Sequence, residues 1–326
     1  MSDTTDNTAR HRLTSVRRWV IKVGSALLTN DGLGLDPLVM KTLTRQLASL
    51  HALGHEVVLV SSGAIAAGLV RLNLAERPRE IHLSQAAAAV GQSALVRAYE
   101  DCLGPHGVVT AQILLSHADV RARDRYLNAR STLNTLLGMG VLPIINENDT
   151  VVTDEIRLGD NDTLAALVAN LVDAEALLIL TDQDGLMDRD PRQDKDAKLI
   201  ASADVHDPDL DAIAGEGSAL GRGGMATKLS AARLAARSGT STIIANGRLP
   251  DVIPKVVKGQ LVGTFLHTNR QPLSARKQWL ASLLHAQGQL VLDEGAVTVV
   301  SDHGRSLLPI GITAVTGVFK RGDLVS

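Results

Sequence analysis

Residues Val141–Pro191 read VLPIINENDTVVTDEIRLGDNDTLAALVANLVDAEALLILTDQDGLMDRDP, and the fold follows from how this stretch is understood. A short apolar run, VLPII, breaks into a polar turn at Asn146-Glu147-Asn148-Asp149. A polar, hairpin-like piece follows, then Gly159-Asp160-Asn161-Asp162. Next comes a helical apolar pattern over Thr163–Val172, with Asp160 or Asn161 as its N-cap. A second apolar run, ALLIL, ends at Thr181-Asp182. Two buried strands thus each deliver carboxylates and amides at a C-terminal end, where open α/β sheets bind ligands. Asn and Asp are also turn formers, but turns alone rarely need so many at once.

The same alternation extends outward in both directions. Trp19–Val23 is a strand ended by Gly24-Ser25-Ala26. Leu35–Leu53 is a helix, with Asp36 as N-cap, Pro37 in its first position and Gly54 at its end. Strand Glu56–Val60 closes on Ser61-Ser62-Gly63-Ala64. Helices over Ala64–Leu72 and Ile81–Leu103, strand Val108–Leu115 and helix Ala118–Leu137 lead into the central stretch. Beyond it, Met225–Arg237 is helical, Ser241–Ala245 a strand, Asp251–Val257 a short helix and Gly263–His267 a last strand. Strand and helix in alternation predict a parallel sheet covered on both faces.

The organisation expected is a disordered tail over 1–18, one α/β domain over 19–267, a polar linker over 268–277 and a small β module over 278–326. In that module short apolar runs alternate with glycine turns: LVLDEGAVTVV, then Leu307–Ile312, then Val315–Phe319. Aromatics are only 2%, so Ala, Leu, Val and Ile must fill the core. The formal net charge of −2 gives no sign of broad attraction to nucleic acid or membrane. Cys102 is the single cysteine, which rules out a disulfide within the chain and fits a reducing compartment. With no long apolar run and no apolar segment near the N-terminus, a cytoplasmic location is expected. His51 and His55 are four apart, but Gly54 separates them at a helix end, and no metal ligands are assigned.

Lys22 sits one residue from the end of an apolar strand, so its ammonium must reach something polar. Either it snorkels to water from an edge strand, or it faces an anion beside the Gly24-Ser25-Ala26 backbone. A second basic element is Gly221-Arg222-Gly223-Gly224-Met225-Ala226-Thr227-Lys228. It opens a helix whose apolar stripe is Met225, Leu229, Ala232 and Ala236, with Lys228 off that stripe. A helix start favours an anion. The glycine pattern is not a dinucleotide fingerprint, since a loop precedes it, and no GxxxxGK[ST] occurs. Two lysines, small-residue turns and clustered carboxylates are what phosphoryl transfer needs, since that chemistry is mostly positioning and charge neutralisation.

These residues resemble the amino acid kinase family from Trp19 to the end of the chain. The motifs are Val20-Ile-Lys22-Val-Gly-Ser25, Val60–Gly68, Ile145–Asp149, Leu158–Asp162, Leu180-Thr-Asp182 and Gly223-Gly-Met-Ala-Thr-Lys228. The Ile145–Asp149 and Leu158–Asp162 pair points to the branch that phosphorylates glutamate. The resemblance implies a three-layer αβα sandwich around a mainly parallel sheet. It implies transfer of the ATP γ-phosphoryl group to the γ-carboxylate of L-glutamate, with Mg²⁺ on the nucleotide. By carry-over, Lys22 and Lys228 flank the phosphoryl group and Asp162 orients them. Ser62, Asp149 and Asn161 hold glutamate, with Asp149 facing its ammonium. Lys22, Thr181, Asp182, Arg222, Gly223, Gly224, Met225, Ala226, Thr227 and Lys228 contact ATP. It further implies a homo-oligomer, feedback inhibition by L-proline and a reductase that consumes glutamyl phosphate.

Two positions depart from the family pattern: Ser61-Ser62 stands where Thr-Ser is common, and Arg222 where a small residue is usual. The tail resembles the start of a PUA domain and stops at Ser326, before that barrel would close. Three other readings follow. One is a related kinase acting on a different carboxylate. A second is an RNA-binding protein, supported by Arg270, Arg276, Lys277, Arg305, Lys320 and Arg321 alone. The third, a silent amino-acid sensor, is opposed by the presence of both lysines and Asp162.

Overall fold

A computed structural model describes residues 10–30, 32–151, 161–190, 194–214, 224–268, 288–301, 306–319 and 325. The chain divides into two compact units, 1–274 and 275–326. Among the described residues no helix is long and apolar enough to cross a membrane.

The larger unit is built on eight strands: β1 Arg18–Val23, β2 Glu56–Ser61, β3 Thr110–Leu115, β4 Leu142–Glu147, β5 Ala176–Thr181, β6 Ser202–Asp204, β7 Ser241–Asn246 and β8 Thr264–His267. Their spatial order is β3-β4-β2-β1-β5-β7-β8-β6. Pairing is parallel except between β8 and β7. The parallel, layered architecture therefore stands as expected. β1, β2 and β5 are predominantly apolar because both faces of the sheet are covered. The chain leaves β1 for β2 on one side and returns to β5 on the other. This places the topological switch point, and hence the binding crevice, at the C-terminal end of β1.

The main helices are α1 Pro37–Ala52, α2 Ala64–Arg71, α3 Ile81–Leu103, α4 Arg123–Gly138, α5 Asn161–Leu171, α6 Met225–Ala236 and α7 Val252–Val257. The Asp36 side chain caps α1 by accepting from the Leu38 and Val39 amides, with Pro37 in the first turn. α5 is buried at every residue except Thr163, which is half-buried. α2 and α3 meet at backbone contact. A Cβ on Gly68 would lie 1.8 Å from the Ala87 carbonyl oxygen, and one on Gly91 1.8 Å from that of Ala64. Only glycine fits at such a crossing.

Several expectations are corrected. Residues 10–18, expected as tail, are built into the fold: Arg12–Ser15 form a 3-10 turn, Leu13 is buried, and Arg10 is fully buried. The Arg10 guanidinium donates to the carbonyls of Ala201, Gly263, Val262 and Gln260 at 2.5, 2.6, 2.9 and 3.1 Å. One planar fork satisfies three carbonyls of the 260–263 turn and that of Ala201, a use of arginine that charge counting does not reveal. Arg10→Ala is expected to destabilise the protein by about 1.5–3 kcal/mol, the range for hydrogen bonds to a charged group. The urea unfolding midpoint measures this, and an unchanged midpoint would refute the clamp.

The helix expected over Ala118–Leu137 is two, His117–Arg121 and α4, broken where Ala122 is extended at φ −73°, ψ 117°. A Ser116–Asp119 capping box starts the first, and no proline or glycine marks the break. β4 runs through Asn146 and Glu147, expected as a turn, because Leu114 and Leu115 of β3 continue to pair with them. Asn161 lies inside α5 rather than capping it; Asp160 is outside the described residues. β6 and the small hairpin of Thr29–Asn30 with Leu33–Leu35 were not expected.

In the smaller unit β9 Gly288–Leu292 pairs antiparallel with β10 Ile312–Gly317. Between them α8 Glu294–Ser301 is helical where the apolar run read as strand. The Asp293 carboxylate accepts from the Ala296 amide at 2.7 Å and starts the helix despite its β-branched residues. The tail 1–9, most of the linker, residues 278–287 and the basic positions Arg270, Arg276, Lys277, Arg305, Lys320 and Arg321 lie outside the described residues.

Candidate active site

β1 is a central strand, so Lys22 cannot reach water from an edge. Lys22 is 7% exposed and its ammonium is ion-paired with Oδ1 of Asp162, itself 1% exposed. Lys228, 4% exposed, donates to Oδ2 of the same carboxylate at 3.1 Å. α6 was expected to turn Lys228 away from its buried stripe. Instead this helix buries both faces, and the first-turn lysine points inward. Residues 22 and 228 therefore meet across one carboxylate supplied by the first turn of α5. The Lys22 ammonium lies beside Gly24, where an added Cβ would sit 3.6 Å from Nζ. Burial would raise the Asp162 pKa. The charges of Lys22 and Lys228 and the hydrogen bonds they donate outweigh it and hold the carboxyl below its ordinary value. One carboxylate between two ammoniums leaves a net positive spot at the end of β1, suited to an anion.

Beside it opens a cavity of about 230 Å³ whose lining includes Ser62, Asp149 and Asn161, the three residues expected to hold an acceptor. Gly63 turns the chain there at φ +104°, a left-handed conformation that favours glycine. The Asn161 amide nitrogen donates to Ser62 Oγ, Asn146 Oδ1 and the Ser61 carbonyl at 2.7, 3.1 and 3.3 Å. The carbonyl can only accept, which fixes the amide with its NH₂ facing inward. Asn146 in turn donates to Gln92 Oε1 of α3 at 2.8 Å. Ser61 Oγ donates to the Ser62 carbonyl at 3.0 Å and meets the Tyr99 hydroxyl at 2.8 Å. Burial pushes the Tyr99 phenol far up, so it stays neutral and donates. Ser61, in place of threonine, thus keeps a hydroxyl in this network.

Burial, reinforced by the neighbouring charge of Glu147, raises Asp149 to about 6, and Arg77 pulls the other way. Glu147 is buried, with His117 Nδ1 at 3.3 Å. Glu147 and Asn146 belong to the cluster the sequence flagged, though no role was assigned to them. Arg77, Gln92 and Tyr99 were missed. Arg77 lies in a polar loop with no pattern. Gln92 and Tyr99 are isolated polar groups on the buried face of α3, and that was the one available signal.

On the other flank, Lys22 pairs with Ile179 and Val23 with Leu180, so Thr181 emerges level with Gly24. Thr181 Oγ1 donates to Asp182 Oδ1 at 3.1 Å. Gly224, Met225, Ala226 and Thr227 lead into and open α6, and Thr227 Oγ1 contacts Asp162 Oδ2 at 3.3 Å. Arg222 and Gly223 lie outside the described residues. His51 Nε2 meets the Gly140 carbonyl at 2.8 Å and His55 Nδ1 that of Val16 at 3.0 Å, so the two rings serve separate backbone contacts.

Fold and site together define an α/β protein with a buried lysine pair, bridged by one carboxylate, at the switch point of a doubly wound sheet. The amino acid kinase family model matches residues 17–246 and the PUA domain model residues 288–326. The chain belongs to the amino acid kinase family. Glutamate 5-kinase of Saccharophagus degradans is 59% identical over 309 residues, covering 95% of this chain and 83% of that protein. The same-named protein of Teredinibacter turnerae is 58% identical over 316 residues, covering 97% and 85%. The solved UMP kinase of Bacillus anthracis shares the fold at a TM-score of 0.53 and 16% identity, covering 78% of this chain and 97% of that one. A solved isopentenyl phosphate kinase does so at 0.53 and 16%, covering 76% and 99%.

Proposed function

We propose that the protein transfers the γ-phosphoryl group of ATP to the side-chain carboxylate of L-glutamate, giving L-glutamyl 5-phosphate for proline biosynthesis. The observation that carries this reading is the Lys22–Asp162–Lys228 cluster beside a cavity lined by Ser62, Asp149 and Asn161. A carboxylate oxygen of glutamate attacks the γ-phosphorus, the bond to the β,γ-bridging oxygen breaks, and ADP leaves. The nucleophile is already an anion at neutral pH, so no general base is required. That fits a site furnished with ammonium groups. Lys22 and Lys228 offset charge on the phosphoryl oxygens, and Asp162 holds both in place.

Thr181, Asp182 and the segment from Arg222 to Lys228 are assigned to ATP. Among the described residues no group of three or more His, Cys, Asp and Glu could hold a metal ion. Mg²⁺ is assigned to the substrate, held by ATP phosphates and water, its usual mode with nucleotides. A homo-oligomer, inhibition by L-proline and a reductase acting on the labile acyl phosphate complete the reading.

Trapping the acyl phosphate with hydroxylamine across a panel of acids tests the acceptor. Hydroxamate from glutamate is expected. Product from another acid alone would reassign the substrate.

Asp149 supplies a pH test. Its folded value, raised to about 6, means that its ionisation as pH climbs through that value costs the apo protein stability. An ammonium ligand reverses this by favouring the carboxylate, and so binding releases a proton. kcat/KM for glutamate is expected to fall with acidification below about pH 6, while KM for ATP does not follow. Asp149→Asn is expected to raise KM for glutamate about tenfold or more and to flatten that limb. An unchanged acid limb in the variant would remove Asp149 from ammonium recognition.

A further inference from the structure

We propose that Arg77 receives the α-carboxylate of the amino-acid acceptor and sets the preference for a dicarboxylic amino acid over an amine-bearing monocarboxylate. The proposal deepens the acceptor assignment above and rests on it. The acceptor carries three charges, and the cavity must answer each. One carboxylate goes to the lysine pair and the ammonium to Asp149. The second carboxylate enters a cavity whose lining already holds Glu147 and Asp149. Left without a counter-charge there, it would be desolvated beside two like charges, which is costly.

Among the described lining residues Arg77 is the one lysine or arginine; the others are acidic, amide, hydroxyl, aliphatic or glycine. Its charge is felt at Asp149, so the guanidinium lies within electrostatic reach of the group assigned to the ammonium. A ligand with neighbouring ammonium and carboxylate on one carbon matches such an Asp–Arg juxtaposition. The planar guanidinium fork also fits a carboxylate in a bidentate manner, as a lysine cannot.

The location supports the same role. Arg77 lies in the connection between α2 and α3, and the Gly68–Gly91 crossing clamps those helices at backbone contact. α2 starts at Ala64, also in the cavity wall. The two helices thus hold the arginine's loop in fixed relation to the Ser62–Ala64 turn. Half-buried rather than exposed, Arg77 can still shed its solvent when a ligand enters.

The test compares L-glutamate with 4-aminobutyrate, which keeps the ammonium and the reacting carboxylate but lacks the α-carboxylate. Each is measured by hydroxamate trapping and as a competitive inhibitor of the other. Wild type should prefer glutamate by about 10²-fold in kcat/KM, the upper end of what hydrogen bonding to a charged group contributes. Arg77→Leu should lower kcat/KM for glutamate by about that factor, mainly through KM, and leave 4-aminobutyrate and KM for ATP nearly unchanged. Arg77→Lys should fall between. A preference of undiminished size in Arg77→Leu overturns the proposal, as does an equal loss on both compounds, which would indicate a role in shaping the loop. Wild-type protein that makes no hydroxamate from glutamate would instead sink the acceptor assignment itself, so the two failures are told apart by the wild-type arm.

Discussion

Replacing Asp162 with alanine is expected to lower turnover about 10³-fold or more and to destabilise the fold by roughly 3–5 kcal/mol. The reason is local. Lys22 and Lys228 are both nearly buried and both paired with this one carboxylate. Without it, two ammonium groups face each other out of water. They must then repel, lose protons or drag solvent inward, and each outcome spoils their aim. Breaking a buried pair from one side costs more than the pair contributes, because a charge is left behind.

The depressed Asp162 pKa adds a sign that can be checked. Its contribution is present above the ordinary carboxyl value and is lost as pH falls through the lower folded value. The stability gap between wild type and Asp162→Asn should therefore close in strong acid. ATP should also narrow the gap near neutrality, since its phosphates offer the lysines another counter-charge. Denaturant midpoints with and without nucleotide measure both effects, and a variant as stable and active as wild type would contradict the cluster's role.

Lys228→Ala is expected to lower kcat about 10²-fold or more, with KM for both substrates changed much less. A donor aimed at charge that develops during transfer acts mainly in the transition state, so its loss appears in kcat. Truncation here removes one ammonium and leaves Asp162 paired with Lys22, so stability should suffer less than in the aspartate variant. The hydroxamate assay under saturating ATP and glutamate decides it. Near-normal turnover would remove Lys228 from the catalytic set.

Much of this site was legible from residue type and position. A lysine in an apolar run, glycine and serine at strand ends, and Asn and Asp crowded after two strands each marked the same edge of the sheet. The missing parts had no local signature. Arg77 sits in a loop without periodicity, and its meaning depends on Asp149, seventy-two positions away. Gln92 and Tyr99 are polar groups on the buried face of α3, and their partners Asn146 and Ser61 lie on other elements of the fold. Lys228 was read from the stripe of its own helix. A helix buried on two faces has no single stripe to read.

Periodicity alone determined that strands alternate with helices, and therefore that the main sheet is parallel with its turns gathered at one edge. Those properties depend on neighbours in sequence: side-chain alternation, capping at Asp36 and glycine at Gly63. Only the tertiary structure decided which groups share a charge balance. β1 had to lie at the middle of the sheet, α5 had to cross from β4 to β5, and α6 had to bury both faces before three distant ionisable groups could meet. The same holds for Arg10, whose four carbonyl partners lie roughly 190 to 250 positions away. Pairing across such separations is set by how layers pack and exclude water, and no local pattern in the chain encodes it.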